Sequence, residues 1–173
     1  MAEPLDAMKR KIEEHFAQLD ETVLVVLKGH LLIEEALDTV ISEFVFHPEF
    51  IQAANLRFAQ KLSIARAMSL DEHDNEMWGL ASGINSLRNE LAHSLRSSKR
   101  AARIQAVLDL YFRLADNAPT DVRNQPEHVV LFFAIGFFLG FLSSFHAEVE
   151  RFRRFLDTLD PIVNPHRHVE QKS

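Results

Sequence analysis

The stretch EMWGLASGINSLRNELAHSL, residues 76–95, decides the fold. Its apolar residues Leu80, Ile84, Leu87, Leu91 and Leu95 recur in steps of three and four, the period of an α-helix with one buried seam. Helical geometry then places the polar groups. Asn85, Asn89 and His93 are spaced i, i+4, i+8 and stack along one flank, with Arg88 between that flank and the seam. Two amides, an imidazole and a guanidinium beside a buried seam mark a candidate binding edge.

Helical periodicity continues on both sides of this segment. Upstream, Leu5, Met8, Ile12, Phe16 and Leu19 form one apolar stripe after Pro4. Asp20 or Thr22 is placed to cap a second helix, which runs to about Phe46 and is stopped by Pro48. His47 to Ala54 reads as a break or a short helical turn. A further helix spans about Leu56 to Met68, with Phe58, Leu62 and Ala65 inward and Arg57, Lys61 and Arg66 outward. Asp71 or Asp74 is expected to cap the helix of residues 76–95. Downstream, a helix is expected from about Lys99 to Asp116, a loop over Asn117 to Gln125, and a last helix from about Pro126 to Leu159. Only 5 Gly and 6 Pro in 173 residues, 47% of them hydrophobic, fit this pattern. The expected fold is an all-α antiparallel bundle of five to six helices. Residues 1–160 form one domain, and residues 161–173 form a flexible tail.

Composition narrows the chemistry. With no cysteine, disulfides, thiol catalysis and thiolate metal sites are excluded. Asp71, His73 and Asp74 lack a third histidine or a fixed ligand spacing, so no metal and no cofactor are expected. The charged, amphipathic start MAEPLDAMKRKIEEH does not read as a signal peptide, and a cytoplasmic protein is expected. A net charge of -6 disfavours non-specific nucleic-acid binding, so contact with a nucleic acid needs a local basic patch. Arg88, His93, Arg96, Lys99, Arg100 and Arg103 supply one within 16 residues. The alternative is a solvated helix end, where Lys and Arg are favoured.

In the helix after Asp20, Val23, Leu27, Leu37 and Ile41 cluster on one side at about 100° per residue, with His30 and Glu34 among them. A carboxylate there needs a cation. Either His30 and Glu34 form a core pair, or Glu34 holds Arg88 or His93 in place. Val129 to Phe145 carries no charge and contains Gly136-xxx-Gly140, a small-residue pattern suited to close helix contact. Ser143, Ser144, His146 and Glu148 follow at once, so a core or dimer-interface helix is expected, and no membrane span.

The pattern Arg88-Asn89-xxx-His93 resembles the signature of the HEPN (higher eukaryotes and prokaryotes nucleotide-binding) domain superfamily. The segment from Leu27 to Glu35 looks like the first core helix of many bacterial members. Phe58 to Leu62 followed by Ala65-Arg66-Ala67 looks like their middle helix. The likeness covers roughly residues 23 to 95 and does not extend to the last helix. It implies a helical bundle, commonly a homodimer with the two motifs facing each other. In catalytic members it implies metal-independent RNA cleavage, as in toxins and defence proteins. Other members bind a nucleotide or a partner protein, and an antitoxin or a nucleotidyltransferase is the partner expected here. A weaker resemblance, to the mannitol operon repressor family, implies transcriptional regulation.

The residue types suit such chemistry. His93 is placed to move protons near neutral pH, and the Arg88 fork matches phosphate oxygens. Asn89 is placed to orient the imidazole or bond the phosphate. His30, Glu34 and Asn85 are the expected positioning residues; Arg96, Lys99, Arg100 and Arg103 are the expected RNA contacts. Arg88 and His93, five residues apart, point about 140° apart on one helix. A second chain across a two-fold axis would bring Arg88 of one copy near His93 of the other. The alternative is structural: Arg88 pairs with Glu34, and His93 caps a polar cluster near the helix end.

Overall fold

The computed structural model describes residue 10 and residues 20–69, 75–93, 99–116 and 121–167. Among them the chain is all-helical, with no strand. The helices are α1 (Glu21–Phe44), α2 (Pro48–Ala53), α3 (Phe58–Ala67), α4 (Met77–His93), α5 (Arg100–Leu114) and α6 (Glu127–Val163). Short 3-10 turns cover Val122–Asn124 and Pro165–Arg167. The helix expected over residues 5–19 lies outside the described residues, except for residue 10, which is helical.

Local chemistry sets the helix ends. Asp20 Oδ1 accepts the Val23 N–H at 2.9 Å, so of the two residues proposed to cap α1, Asp20 does so. Pro48 opens α2, where its missing N–H costs nothing. Asn55 closes that short helix at φ 49, a left-handed conformation that asparagine tolerates better than most residues. Asp71 and Asp74 lie outside the described residues; Asn75 Oδ1 takes the Met77 N–H at 2.9 Å at the start of α4.

α1 and α6 form the most extensive helix pair, and they run parallel. At one end Thr22 Oγ1 donates to Glu127 Oε1 at 3.0 Å; at the other the Phe44 and Phe152 rings stack 6.2 Å apart. Midway, a Cβ on Gly29 would stand 2.4 Å from Ile135 Cδ1, so only glycine lets the helices approach this closely. α4 runs against α1, and α5 against α4: Arg103 meets Glu90 at one end of the α4–α5 pair and Arg113 meets Glu76 at the other. The bundle is thus antiparallel around α4 and parallel at α1–α6. Ile33, Leu37, Leu80, Ile84, Leu87, Leu131 and Phe138 are fully buried between these helices. Each such side chain contributes about 1.5–3 kcal/mol by leaving water. Trp78 of α4 meets Phe138, Phe141 and Phe145 edge-on, at 5.0 to 6.2 Å.

α6 is longer than the sequence pattern indicates. It passes through Pro161 to Val163, whereas fraying is expected from Pro161 onward. Pro161 lies in the last turn, so its missing N–H and its ring cost the helix one hydrogen bond, to the carbonyl of Asp157, close to where the helix ends. Asn164 then closes the end: its backbone N–H reaches Asp160 O at 2.8 Å and its side-chain amide reaches Asp160 Oδ1 at 2.7 Å.

Candidate functional site

Along the polar row of α4, Asn89 is exposed and Asn85 and Arg88 are half-buried. Arg88 Nη1 donates to Asn89 Oδ1 at 3.2 Å. The backbone of His93 forms the end of α4; its side chain, and all of Arg96, lie outside the described residues.

Asn85 joins the row to α1. His30 Nε2 lies 3.1 Å from Asn85 Oδ1. An amide oxygen only accepts, so Nε2 carries the ring proton. The neutral ring then leaves Nδ1 as an acceptor, and this buried atom has no hydrogen-bond partner. Glu34 Oε2 stands 3.9 Å from it. Phe58 of α3 stacks on the imidazole with ring centroids 4.3 Å apart. Burial holds His30 below the usual histidine range; the Asn85 hydrogen bond and the Glu34 charge oppose this, and the Arg88 charge reinforces it.

Glu34 meets a cation that the sequence pattern places outward. Lys61 Nζ lies 3.0 Å from Glu34 Oε1 and 2.7 Å from Asp38 Oδ2. The lysine stem crosses the α1–α3 seam and delivers its ammonium between two carboxylates one turn apart. Burial lowers the Lys61 pKa, but the hydrogen bonds it donates to Asp38 and Glu34, with their charges, outweigh this and leave the ammonium above its usual value. The i, i+4 pair Glu34 and Asp38 was a readable signal that α1 needs a cation here, and Lys61, one turn after buried Phe58, was within reach.

Two of the arginines expected to contact RNA are held by acids. Arg100 pairs with Asp20, and Arg103 Nε lies 3.7 Å from Glu90 Oε2. Lys99 and Arg103 nevertheless edge a groove of about 500 Å³ between α4 and α5. Ser82, Gly83 and Ser86 form its α4 wall, and Val107 and Leu110 are among the apolar residues of its α5 side. Position 93 lies two turns beyond Ser86 on α4, in the same helical row. The sequence pattern did not mark the serines, which carry no periodic signal. Among the described residues no group of three or more His, Asp or Glu is placed to hold a metal ion.

No protein-family model, curated protein or solved structure matches this chain. The likeness to the HEPN and mannitol-repressor families therefore rests on the residue patterns quoted above.

Proposed function

We propose that this chain binds RNA along the open edge of α4 and α5 and cleaves it as a homodimer, with Arg88, Asn89 and His93 as the reacting groups. The observation that carries the reading is the groove beside the polar row, where two serine hydroxyls and two cations stand over an apolar floor. Hydroxyls and cations suit a phosphate backbone, and an apolar floor suits an unstacked base. In the reaction the ribose 2′-OH attacks the adjacent phosphorus and the 5′-oxygen leaves. His93 takes the 2′-OH proton, and the imidazolium so formed gives it up to the leaving 5′-oxygen, directly or through water. The Arg88 guanidinium neutralises charge on the crowded phosphate, and Asn89, bonded to Arg88, fixes its direction.

Purified protein should convert a mixed RNA pool to fragments ending in 2′,3′-cyclic phosphate, with a chelator present. His93→Ala should abolish the fragments without changing the far-UV spectrum. The absence of both binding and cleavage by the intact chain would sink the reading. Binding without cleavage would favour a second one, a non-catalytic module for a nucleotide or a partner protein. The pairing of Arg100 with Asp20 and of Arg103 with Glu90 supports that alternative, because it leaves the edge less basic than its sequence.

A further inference from the structure

α6 carries apolar residues on opposite sides. Leu131, Ala134, Phe138 and Leu142 are buried in the bundle. On the outer side Phe132, Phe133 and Phe137 are 63%, 42% and 37% exposed. These rings amount to roughly 300 Å² of exposed surface per chain, at about 200 Å² per ring. A stable interface needs roughly 800 Å² per partner, so the phenylalanines alone supply a large share. Gly136 and Gly140 lie between them, and a Cβ built on either meets nothing within 4 Å. Nothing within the described fold requires glycine there, and mid-helix glycine is unfavourable.

We infer that this face binds a second copy of the chain, with the two α6 helices antiparallel. The order of side-chain sizes selects that occupant. A two-fold axis near position 138 sets Phe132 against Ser143 of the other copy and Phe133 against Ser144, and each lies on the same side of the contact. It also sets Gly136 against Gly140, where the backbones approach most closely. Phe132 and Phe133 then each meet a small side chain, while Phe137, which packs on Tyr111 of its own chain with ring centroids 5.8 Å apart, lies beside the axis next to its own counterpart. A parallel pair would put phenylalanine against phenylalanine at one end and leave a void between serines at the other. A net charge of -6 on each copy opposes association, but no charged residue occurs from Val129 to Phe145, so the contact itself sets no like charges together. α6 is also long and apolar enough to cross a membrane. A membrane span would give up the core contacts of Phe138 and Leu142, whereas a second copy leaves them intact. The face points away from α4, whose Trp78 packs on the buried side of α6. The inference therefore does not depend on the RNA reading: this contact is separate from the α4–α4 pairing which that reading needs, and the effects of Gly140→Leu and of cross-linking belong to the α6 contact alone.

Sedimentation of the full chain without detergent, at about 100 μM, should give a dimer. Gly140→Leu should weaken association by at least roughly 100-fold with an unchanged far-UV spectrum, because its side chain enters open space in the monomer. The cysteine-free chain allows direction to be read by oxidation. In Phe132→Cys/Ser143→Cys the two sites lie about 16 Å apart along one helix, too far for an internal disulfide, so covalent dimers are expected. Ser143→Cys alone should not cross-link, since an antiparallel pair holds the two copies about 15 Å apart. A monomer at this concentration overturns the inference, whether the face is then covered by residues 1–19 or by lipid. A requirement for detergent, a Gly140→Leu dimer as strong as the parent, or efficient cross-linking through Ser143→Cys alone overturns it equally.

Discussion

His30 is neutral in the fold because its surroundings disfavour a second proton: burial leads, and the Arg88 charge adds to it. The sign of the stability effect follows. The unfolded chain takes up its proton in the ordinary histidine range, and the folded chain only at lower pH. Stability from the neutral ring is therefore complete above about pH 6.5 and is lost as pH falls through that range toward the lowered folded value. Urea midpoints measured from pH 7.5 to 5 should fall more steeply for the parent than for His30→Gln. The difference should not exceed about 1.4 kcal/mol per pH unit, the limit for one proton; parallel curves would remove His30 as the cause. Lys61 gives a second prediction. Lys61→Met leaves Glu34 and Asp38 facing each other and should destabilise by about 1 kcal/mol at low salt and less in 1 M salt, as read from denaturant midpoints. The need for a cation beside Glu34 was legible in the sequence. Its identity was not, because a lysine Cα on the outer side of a helix says little about where a four-carbon stem places its ammonium.

At the scale of elements, periodicity located five of the helices to within a few residues and placed the apolar seam of α4 correctly: Leu80, Ile84, Leu87 and Leu91 are all buried. What it could not show was pairing. Gly29, Gly136 and Gly140 look alike on a helical wheel, yet Gly29 is pressed against Ile135 and the other two face open space. Gly29→Ala should therefore cost about 1–3 kcal/mol, as overpacking does, measured by thermal or urea melting. A neutral result would mean that Ile135 moves aside freely. The parallel run of α1 and α6 was equally hidden, since it shows only in contacts such as that of Thr22 with Glu127, 105 positions apart. The α4 row was legible as a row, but the Asn85–His30 bond that ties it to α1 was not: the amide and the imidazole lie 55 positions apart.

For the whole molecule, one chromophore reports on the core. Trp78, the only tryptophan, is buried against three phenylalanines of α6. Its emission follows α4–α6 docking, while far-UV circular dichroism follows total helix. In urea the two transitions should coincide, because one continuous hydrophobic core joins α4 to α6 and the other helices. An earlier fluorescence transition would mean that α6 leaves while the other helices stay folded. All-α architecture followed from composition and period. The open groove between α4 and α5 did not, because a groove is what two helices leave unfilled.

The parallel α1–α6 pair also bears on how the chain reaches its fold. Thr22 and Glu127, hydrogen-bonded at one end of that pair, are 105 residues apart in sequence. During synthesis α1 is made early and must wait for almost the whole chain before its principal partner emerges. Closing so long a loop is slow by the standard of helical bundles, which mostly join neighbours. Until then Val26, Ile33 and Leu37 have only part of their cover, from α3 and α4. The rate-limiting event in folding is thus expected to be the arrival of α6, and the nascent chain presents a strip of bare aliphatic side chains that chaperones can hold.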